Sequence, residues 1–339
     1  MQKYKLAVII PCWNCAEEIG AMLDSILVQT FNDWNVFCVD DQSTDDTLNV
    51  LQKYQKKDSR IHIYIRNRQP KGAQTCRNIG LDLSEGAEYV IWFDSDDIIA
   101  PYCFEQRVAF MDMHPDLDFS VFPAKSFSEN IWEYKNSHLF GFRYAGVDDL
   151  CRFLRRTLPW VGWTNIYKRS SLISYQLKWD ENILSLQDSD FNIQSILKGL
   201  KYDYAKNARI DYFWRIQNTG ITKKIFTNDH KRSHVYYFNK LCESLSEQQR
   251  TQYALELDDY LFFFIDRFYN DWKFVFSMIR VDGVKNRPIF QLRILLYCFL
   301  HKRFKRVLFP HIVRYRVQYD KECSQYNRAL LLSMLERKV

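Results

Sequence analysis

The chain of 339 residues is 47% hydrophobic and 26% charged, which suits one large or two ordinary domains and excludes global disorder, collagen-like repeats and simple low complexity. The net charge of +6 is unevenly placed: residues 283–339 carry 13 Lys and Arg against 3 Asp and Glu, a net +10, and residues 1–282 carry 34 against 38, a net −4. The opening MQKYKLAVIIPCWN has neither the long apolar core nor the small-residue cleavage site of a secretory signal. Ile289–Leu300, the most apolar late stretch, has only 12 residues and is too short to span a bilayer. Nine scattered cysteines favour a reducing cytoplasm over a disulfide scaffold.

In chain order, Lys5–Pro11 reads as a buried strand and Ala16–Val28 as a helix, with Ile19, Leu23, Ile26 and Leu27 at helical spacing. Asn35–Val39 is a second strand ending on Asp40–Asp41, and Ser43, Thr44 and Asp45 offer caps for a helix over Asp46–Lys57. Arg60–Arg66 alternates as a third strand, Ala73–Leu83 follows Pro70–Gly72 as a helix, and Glu88–Phe93 is a fourth strand ending at Asp94. This β-α-β-α-β-α-β order predicts a mainly parallel central sheet flanked by helices. Further on, the pattern gives a helix over Tyr102–Met113, a strand-like Asp118–Pro123 and an irregular 124–165 with a helix from Val147 to Arg156. A short strand over Asn165–Lys168 and a helix over Asp190–Gly199 follow. Beyond Lys231 the chain turns helical, through Tyr236–Ser244 and Tyr253–Phe268, with further helices near Arg287–Phe299 and His301–Ile312. Two domains are expected, 1–230 catalytic and 231–339 mostly helical and basic.

The acids cluster just past strand ends, the edge at which open α/β sheets form their ligand crevice. In Trp92–Asp97, WFDSDD, three carboxylates follow a strand. They form either a solvated acidic turn or a cation site, since Mg²⁺ is commonly held by one or two carboxylates plus substrate phosphates. Asp40 and Asp41 either accept hydrogen bonds from a base or ribose or belong to a simple capping turn. Arg77, in Gly72-x₄-Arg77-Asn78-x-Gly80, either meets phosphate or pairs with one of the acids. The chain has no GxGxxG or GxxxxGK[ST] loop and no HExxH; Cys12-x₂-Cys15 lacks a second pair for zinc and the setting for redox work.

Four segments in order resemble the family 2 glycosyltransferases, inverting enzymes with the GT-A fold. LAVIIPCWN (Leu6–Asn14) resembles VSVIIPxYN, and Ser25–Phe31 with Val36–Asp45 resembles SIxxQTxxxxEIIVVDDGSTD. Gly72–Gly80 resembles GxxxARNxG, with Cys76 in the alanine's place, and Phe93–Asp97 resembles LDSDD. Gln187–Phe191, QDSDF, resembles EDxxF, with Gln187 where Glu is usual; NIYKRSS (Asn165–Ser171) and Phe213–Lys224 resemble two later segments. The resemblance implies a GT-A nucleotide-diphospho-sugar transferase fold with a helical C-terminal extension. It implies donor binding by Pro11, Asp40, Asp41, Arg77, Asp94 and Asp97, Mg²⁺ or Mn²⁺ on Asp94 and Asp96, and Asp188 as catalytic base. Trp163, Asp190 and Arg215 are candidates on the acceptor or phosphate side; Arg215 either faces a phosphate or supports packing.

The implied activity is inverting transfer of a sugar from a nucleotide-diphosphate donor, with UDP-sugars among the candidates, to a saccharide or lipid-linked acceptor in cell-surface polysaccharide or lipopolysaccharide synthesis. The rivals are a nucleotidyltransferase, which would need a glycine- and lysine-rich phosphate loop near the first strand, and a non-catalytic sugar-nucleotide-binding or scaffold protein. In the tail, Arg293, Lys302, Arg303, Lys305 and Arg306 lie beside apolar residues. Such a face is either solvated or set for peripheral contact with an anionic membrane at the inner face of the cytoplasmic membrane. No reader motif supports nucleic acid.

Overall fold

The structure is a computed structural model that describes residues 3–128, 131, 138–143, 147–216, 226–316 and 318. The chain separates into two compact units, Met1–Ser233 and His234–Val339.

The first unit is built on a seven-stranded sheet. Its strands are β1 (Tyr4–Cys12), β2 (Trp34–Asp40), β3 (Ile61–Ile65), β4 (Ala87–Trp92), β6 (Phe119–Val121), β9 (Asn165–Lys168) and β10 (Tyr202–Tyr204), in the order β10-β6-β9-β4-β1-β2-β3. Helices α1 (Ile19–Leu27), α2 (Thr47–Lys57), α3 (Ala73–Leu83) and α4 (Cys103–Met113) connect the strands. Leu6 to Ile10 are all fully buried, as a strand covered on both faces requires. Gly80 of α3 faces β1, where an added Cβ would lie 2.2 Å from Ile9 Cγ2, so glycine permits the close helix–sheet approach.

The register sets the site. In parallel pairs, Cys12 lies opposite Asp40 and Ile9 opposite Trp92. The ends of β1, β2 and β4 therefore reach one carboxyl edge together, with Asp40–Asp41 and Asp94–Asp96 placed along that edge. β9 departs from the expected parallel arrangement and runs antiparallel to both β4 and β6.

The sequence pattern did not show a second sheet, which has four strands. It comprises β5 (Ile98–Ile99), β7 (Ala124–Phe127), β8 (Leu139–Phe140) and β11 (Tyr212–Arg215). Its strands have two to four residues, too short for alternation to register. Within 147–156 the helix is α5 (Asp149–Leu154), capped by Asp148, whose side chain accepts from the Cys151 N–H at 2.7 Å. α6 (Arg169–Ser174) follows β9, and α7 spans Gln187–Leu197. The helix expected from Asp190 thus begins three residues earlier, and Asp188 and Asp190 both sit in its first turn.

The second unit is helical. The helix that links into it, α8 (Asn228–Ser244), is followed by α9 (Glu247–Gln252), α10 (Ala254–Arg267), α11 (Trp272–Met278), α12 (Pro288–Phe299) and α13 (Lys305–Leu308). The helix expected over His301–Ile312 is interrupted: His301, Lys302 and Phe304 take left-handed φ values, and helix resumes at 310–316 after the short α13. Phe262, Ile294, Tyr297, Phe309 and Ile312 form buried core, and the inward carboxylates of α10 take up basic side chains. Asp258 pairs with Arg287, and Asp259 with Arg316. Among the described residues no helix is long and apolar enough to cross a membrane.

Candidate active site

At the carboxyl edge lies a cleft of about 440 Å³. Pro11, Trp13 and Asn14 from the end of β1 form one wall, with Ala73 and Arg77 of α3 beside Asp94, Ser95 and Asp96. Leu184 to Asp188, at the start of α7, form the opposite wall.

Arg77 joins these walls. Its Nη2 donates to Asp94 Oδ1 at 2.7 Å and its Nη1 to Gln187 Oε1 at 3.0 Å, and the guanidinium lies over the Trp179 ring at 4.4 Å. Trp179 is itself stacked on Phe191 of α7. The planar fork suits such a double contact, and the stacking removes its remaining freedom. Gln187 thus engages the arginine that joins it to Asp94.

Asp188 lines the cleft, and its Oδ1 accepts from the Gly162 N–H at 2.8 Å. Gly162 opens a 3₁₀ turn, Gly162–Thr164, leading into β9. The carboxyl is set deep although part of the residue reaches the cleft. Burial raises its pKa most, partly offset by Arg77, with Asp94 adding to the rise. Leu186, two residues before Asp188 and immediately before α7, takes φ +68°, a left-handed conformation costly for a branched side chain.

The three acids of the DSDD loop have different surroundings. Asp94 and Asp96 line the cleft. Burial, and next the charge of Asp94, push the Asp96 carboxyl up to about 6. Asp97 is fully buried and does not line the cleft: its Oδ2 accepts from the Tyr212 hydroxyl at 2.5 Å and its Oδ1 from the Arg215 N–H at 2.7 Å. Tyr212 also accepts from the Asp94 N–H at 3.2 Å, and Arg215 Nε donates to the Asp96 carbonyl at 2.8 Å. The strand β11 therefore grips this loop at four points.

Asp40 is buried and accepts from Ser43, through the backbone N–H at 3.0 Å and the hydroxyl at 2.5 Å. Asp41 is buried against Arg66. Ser43 and Thr44 do not cap α2, whose N-cap, Asp46, makes no side-chain cap. Instead the Asn14 N–H donates to Ser43 Oγ at 3.0 Å and the Thr44 N–H to Asn14 Oδ1 at 2.8 Å, knitting the ends of β1 and β2 together. Trp163 lies in the core, stacked on Tyr212 at 4.5 Å, and Asp190 is buried in the first turn of α7. The structure thus brings Pro11, Arg77, Asp94, Asp96 and Asp188 to one cleft, and sets Asp40, Asp41, Asp97, Trp163, Asp190 and Arg215 outside its lining.

Sequence reasoning did not single out Trp13, Ser95 or Leu184–Leu186 as cleft residues. Trp13 stands partly exposed with Lys71 Nζ 4.5 Å from its ring centre, and a tryptophan just past the first strand, in Pro11–Cys12–Trp13–Asn14, was the signal available. Cys15 also lines the cleft, and Cys12 is buried beneath it at the end of β1. Both thiols are free.

Among the described residues no group of three or more His, Cys, Asp or Glu is arranged to hold a metal ion. Asp94 and Asp96 nonetheless supply two hard oxygen donors at the cleft, and the high Asp96 pKa marks a place where added positive charge is favourable. That donor set fits a divalent cation whose remaining ligands are phosphate and water.

Residues 7–174 match the sequence model of glycosyl transferase family 2, and this segment belongs to the family 2 glycosyltransferase superfamily. The chain is 24% identical over 225 residues to the uncharacterized glycosyltransferase YibD of Escherichia coli K12, covering 65% of this chain and 63% of that protein. It is 27% identical over 229 residues to a poly(ribitol-phosphate) beta-glucosyltransferase of Bacillus spizizenii, covering 64% of this chain and 33% of that one. The chain thus spans less than two thirds of the length of these relatives. Among solved structures, S. aureus TarS 1–349 in complex with UDP-GlcNAc superposes with a TM-score of 0.66 at 20% identity, covering 88% of each chain. The mannosyltransferase PcManGT of Pyrobaculum calidifontis, in complex with GDP-Man and Mn²⁺, gives 0.54 at 14% identity, covering 94% of this chain and 87% of that one. The fold is that of GT-A nucleotide-sugar transferases, with a helical C-terminal extension.

Proposed function

We propose that residues 1–230 form a catalytic domain that transfers a sugar from a nucleotide-diphosphate donor to an acceptor hydroxyl with inversion at the anomeric carbon. The observation that carries this reading is Asp188, oriented by Gly162 and facing the cleft that Asp94 and Asp96 line from the other side.

The donor's diphosphate lies toward Asp94, Asp96 and Arg77, and its nucleoside toward Pro11, Trp13 and the end of β2. Asp94 and Asp96 would hold Mg²⁺ or Mn²⁺, which when bound offsets the charge gathering on the leaving diphosphate. The acceptor hydroxyl oxygen attacks the anomeric carbon as the bond to the diphosphate oxygen breaks. Asp188 accepts the hydroxyl proton in the same step, and its raised pKa makes it a stronger base than an exposed aspartate. A single displacement with one base inverts the configuration. Asp40, Asp41 and Asp97 position the donor-side loops through Ser43, Arg66 and Tyr212.

The donor class is supported by the UDP-GlcNAc and GDP-Man bound by the two structural neighbours. The poly(ribitol-phosphate) in the name of the Bacillus relative supports a polymeric, saccharide or lipid-linked acceptor, and the basic charge of region 231–339 suits contact with the anionic inner face of the cytoplasmic membrane. The test is a panel of nucleotide sugars with and without Mg²⁺ or Mn²⁺, read as nucleotide-diphosphate release, together with Asp188→Asn. Metal-dependent release that the variant loses supports transfer. Donor binding without release identifies a binding protein, pyrophosphate release a nucleotidyltransferase, and full turnover by Asp188→Asn removes Asp188 as the base.

A further inference from the structure

The helix α12 carries an apolar row on its outer side that belongs to no core. Ile289, Leu292, Leu296 and Phe299 are 70, 66, 41 and 70% exposed. They recur at i, i+3, i+7 and i+10, which places them on one face. The opposite side of the same helix is anchored, with Phe290, Ile294, Tyr297 and Cys298 buried. The helix is therefore apolar on two sides, and only one is packed against the described residues of the unit. Exposed Phe304 and Val307 continue the apolar surface just beyond its end. Scattered exposed leucines are ordinary, but a contiguous row of this kind marks an interaction surface.

The charges around it select the partner. From Gly283 to Arg316 there are nine Lys and Arg and no Asp or Glu. Lys285, Arg287, Lys302 and Arg316 are paired with Asp282, Asp258, Asp266 and Asp259. Arg293, Arg303 and Arg306 are exposed and form no ion pair with the described residues. Arg293 lies next to Leu292 and Leu296 on the helix surface, and Arg303 and Arg306 flank Phe304 and Val307. An exposed apolar face bordered by unpaired arginines, with no acid among them, is complementary to an anionic lipid surface: apolar side chains enter the acyl boundary while guanidinium groups meet headgroup phosphates.

We infer that α12 and the turn after it form an interfacial membrane-docking face, with Ile289, Leu292, Leu296 and Phe299 inserted and Arg293, Arg303 and Arg306 on the headgroups. This face lies wholly within the second unit, and the inference stands whether or not the first unit transfers sugar.

The experiment is sedimentation of the full chain with vesicles of phosphatidylglycerol mixed with phosphatidylcholine, against phosphatidylcholine alone, without donor or acceptor. The expected result is binding to the anionic vesicles that weakens as salt rises. Leu292→Ser with Phe299→Ser should weaken binding at least tenfold, given what each buried apolar side chain contributes. Arg303→Glu with Arg306→Glu should weaken it about fivefold or more per charge while leaving nucleotide-sugar turnover in solution unchanged. These positions are exposed, so both variants should keep the wild-type melting temperature within a few degrees; Ile289→Ser provides a third variant at the helix start. No binding to anionic vesicles, equal binding to both vesicle types, or binding unaffected by the variants overturns the proposal. So does a concentration-dependent dimer that the serine variants dissociate, which would make a second copy of the chain the occupant.

Discussion

Arg77 Nη2 donates to Asp94 Oδ1 at 2.7 Å, and through this pair the α7 wall of the cleft is tied to the acidic loop after β4. The guanidinium reaches Gln187 with its other terminal nitrogen while lying on Trp179. A lysine retains the charge but can neither fork nor stack in this way. Arg77→Lys is expected to lower kcat/KM for donor turnover roughly ten- to a hundredfold, the size of one or two charge-assisted hydrogen bonds. Steady-state kinetics across donor concentrations measure this; wild-type values would show that the tie is dispensable.

Asp188→Asn keeps an oxygen for the Gly162 N–H and removes the proposed base. A loss of about 10²–10⁴ in kcat is expected. The stability effect has the opposite sign. Because burial raises the Asp188 pKa, the folded state holds its proton more tightly than the unfolded state, where an aspartate titrates near ~3.9. Stability is therefore lost as pH rises from about that value through the folded pKa. The asparagine variant should melt higher than wild type at pH 7, with the difference closing toward pH 4. Thermal melts at the two pH values check this, and a lower melting temperature at pH 7 would contradict it.

Chelation should abolish nucleotide-diphosphate release, and Mg²⁺ or Mn²⁺ should restore it. Asp96→Asn should raise the metal concentration for half-activation by at least about tenfold, since even partners behind the ligands are commonly worth 10–100-fold in metal affinity. Titration of activity with metal distinguishes this from a general loss. Unchanged release in excess EDTA would separate the enzyme from metal-dependent chemistry.

Away from the cleft, Arg107 of α4 and Asp211, just before β11, form a bidentate pair at 2.7 and 2.9 Å with neither side chain exposed. Arg107→Met removes the charged partner of the buried Asp211 and leaves Gln106 Nε2, at 3.1 Å, as a neutral donor to it. A loss of about 3–5 kcal/mol in unfolding free energy is expected. Urea denaturation measures it, and a change below about 1 kcal/mol would mean that water or another group takes over the carboxylate.

The N-terminal half was legible because its strands are long, buried on both faces and separated by helices with strong periodicity. The helix expected near Ala73–Leu83 is found there, and the apolar run Leu6–Pro11, read as a first buried strand, lies within β1. The convergence of Asp94, Asp96 and Asp188 followed from strand-end placement and the motif resemblance together. The second sheet was not legible: Ile98–Ile99 and Leu139–Phe140 are two-residue strands defined by their partners. The inward turn of Asp97 was hidden for the same reason, since Tyr212 and Arg215 lie 115 and 118 residues away. The early start of α7 was masked by Asp188–Ser189–Asp190, which reads as a cap although it forms the first turn. The break after α12 was masked because His301, Lys302 and Phe304 are not residue types that announce left-handed backbone.

On the proposed reading of Asp94 and Asp96 as donor-side residues, the grip of β11 on the DSDD loop separates where donor affinity is read from where it is set. Tyr212 and Arg215 together take the backbone of Asp94 and Asp96 and both oxygens of Asp97, so the height of the loop above β4 is inherited from the seating of the small sheet. A substitution under β7 or β11, touching no cleft residue, would move Asp94 and Asp96 as one piece. Affinity for different sugar nucleotides can therefore drift during evolution while every residue facing the donor stays the same.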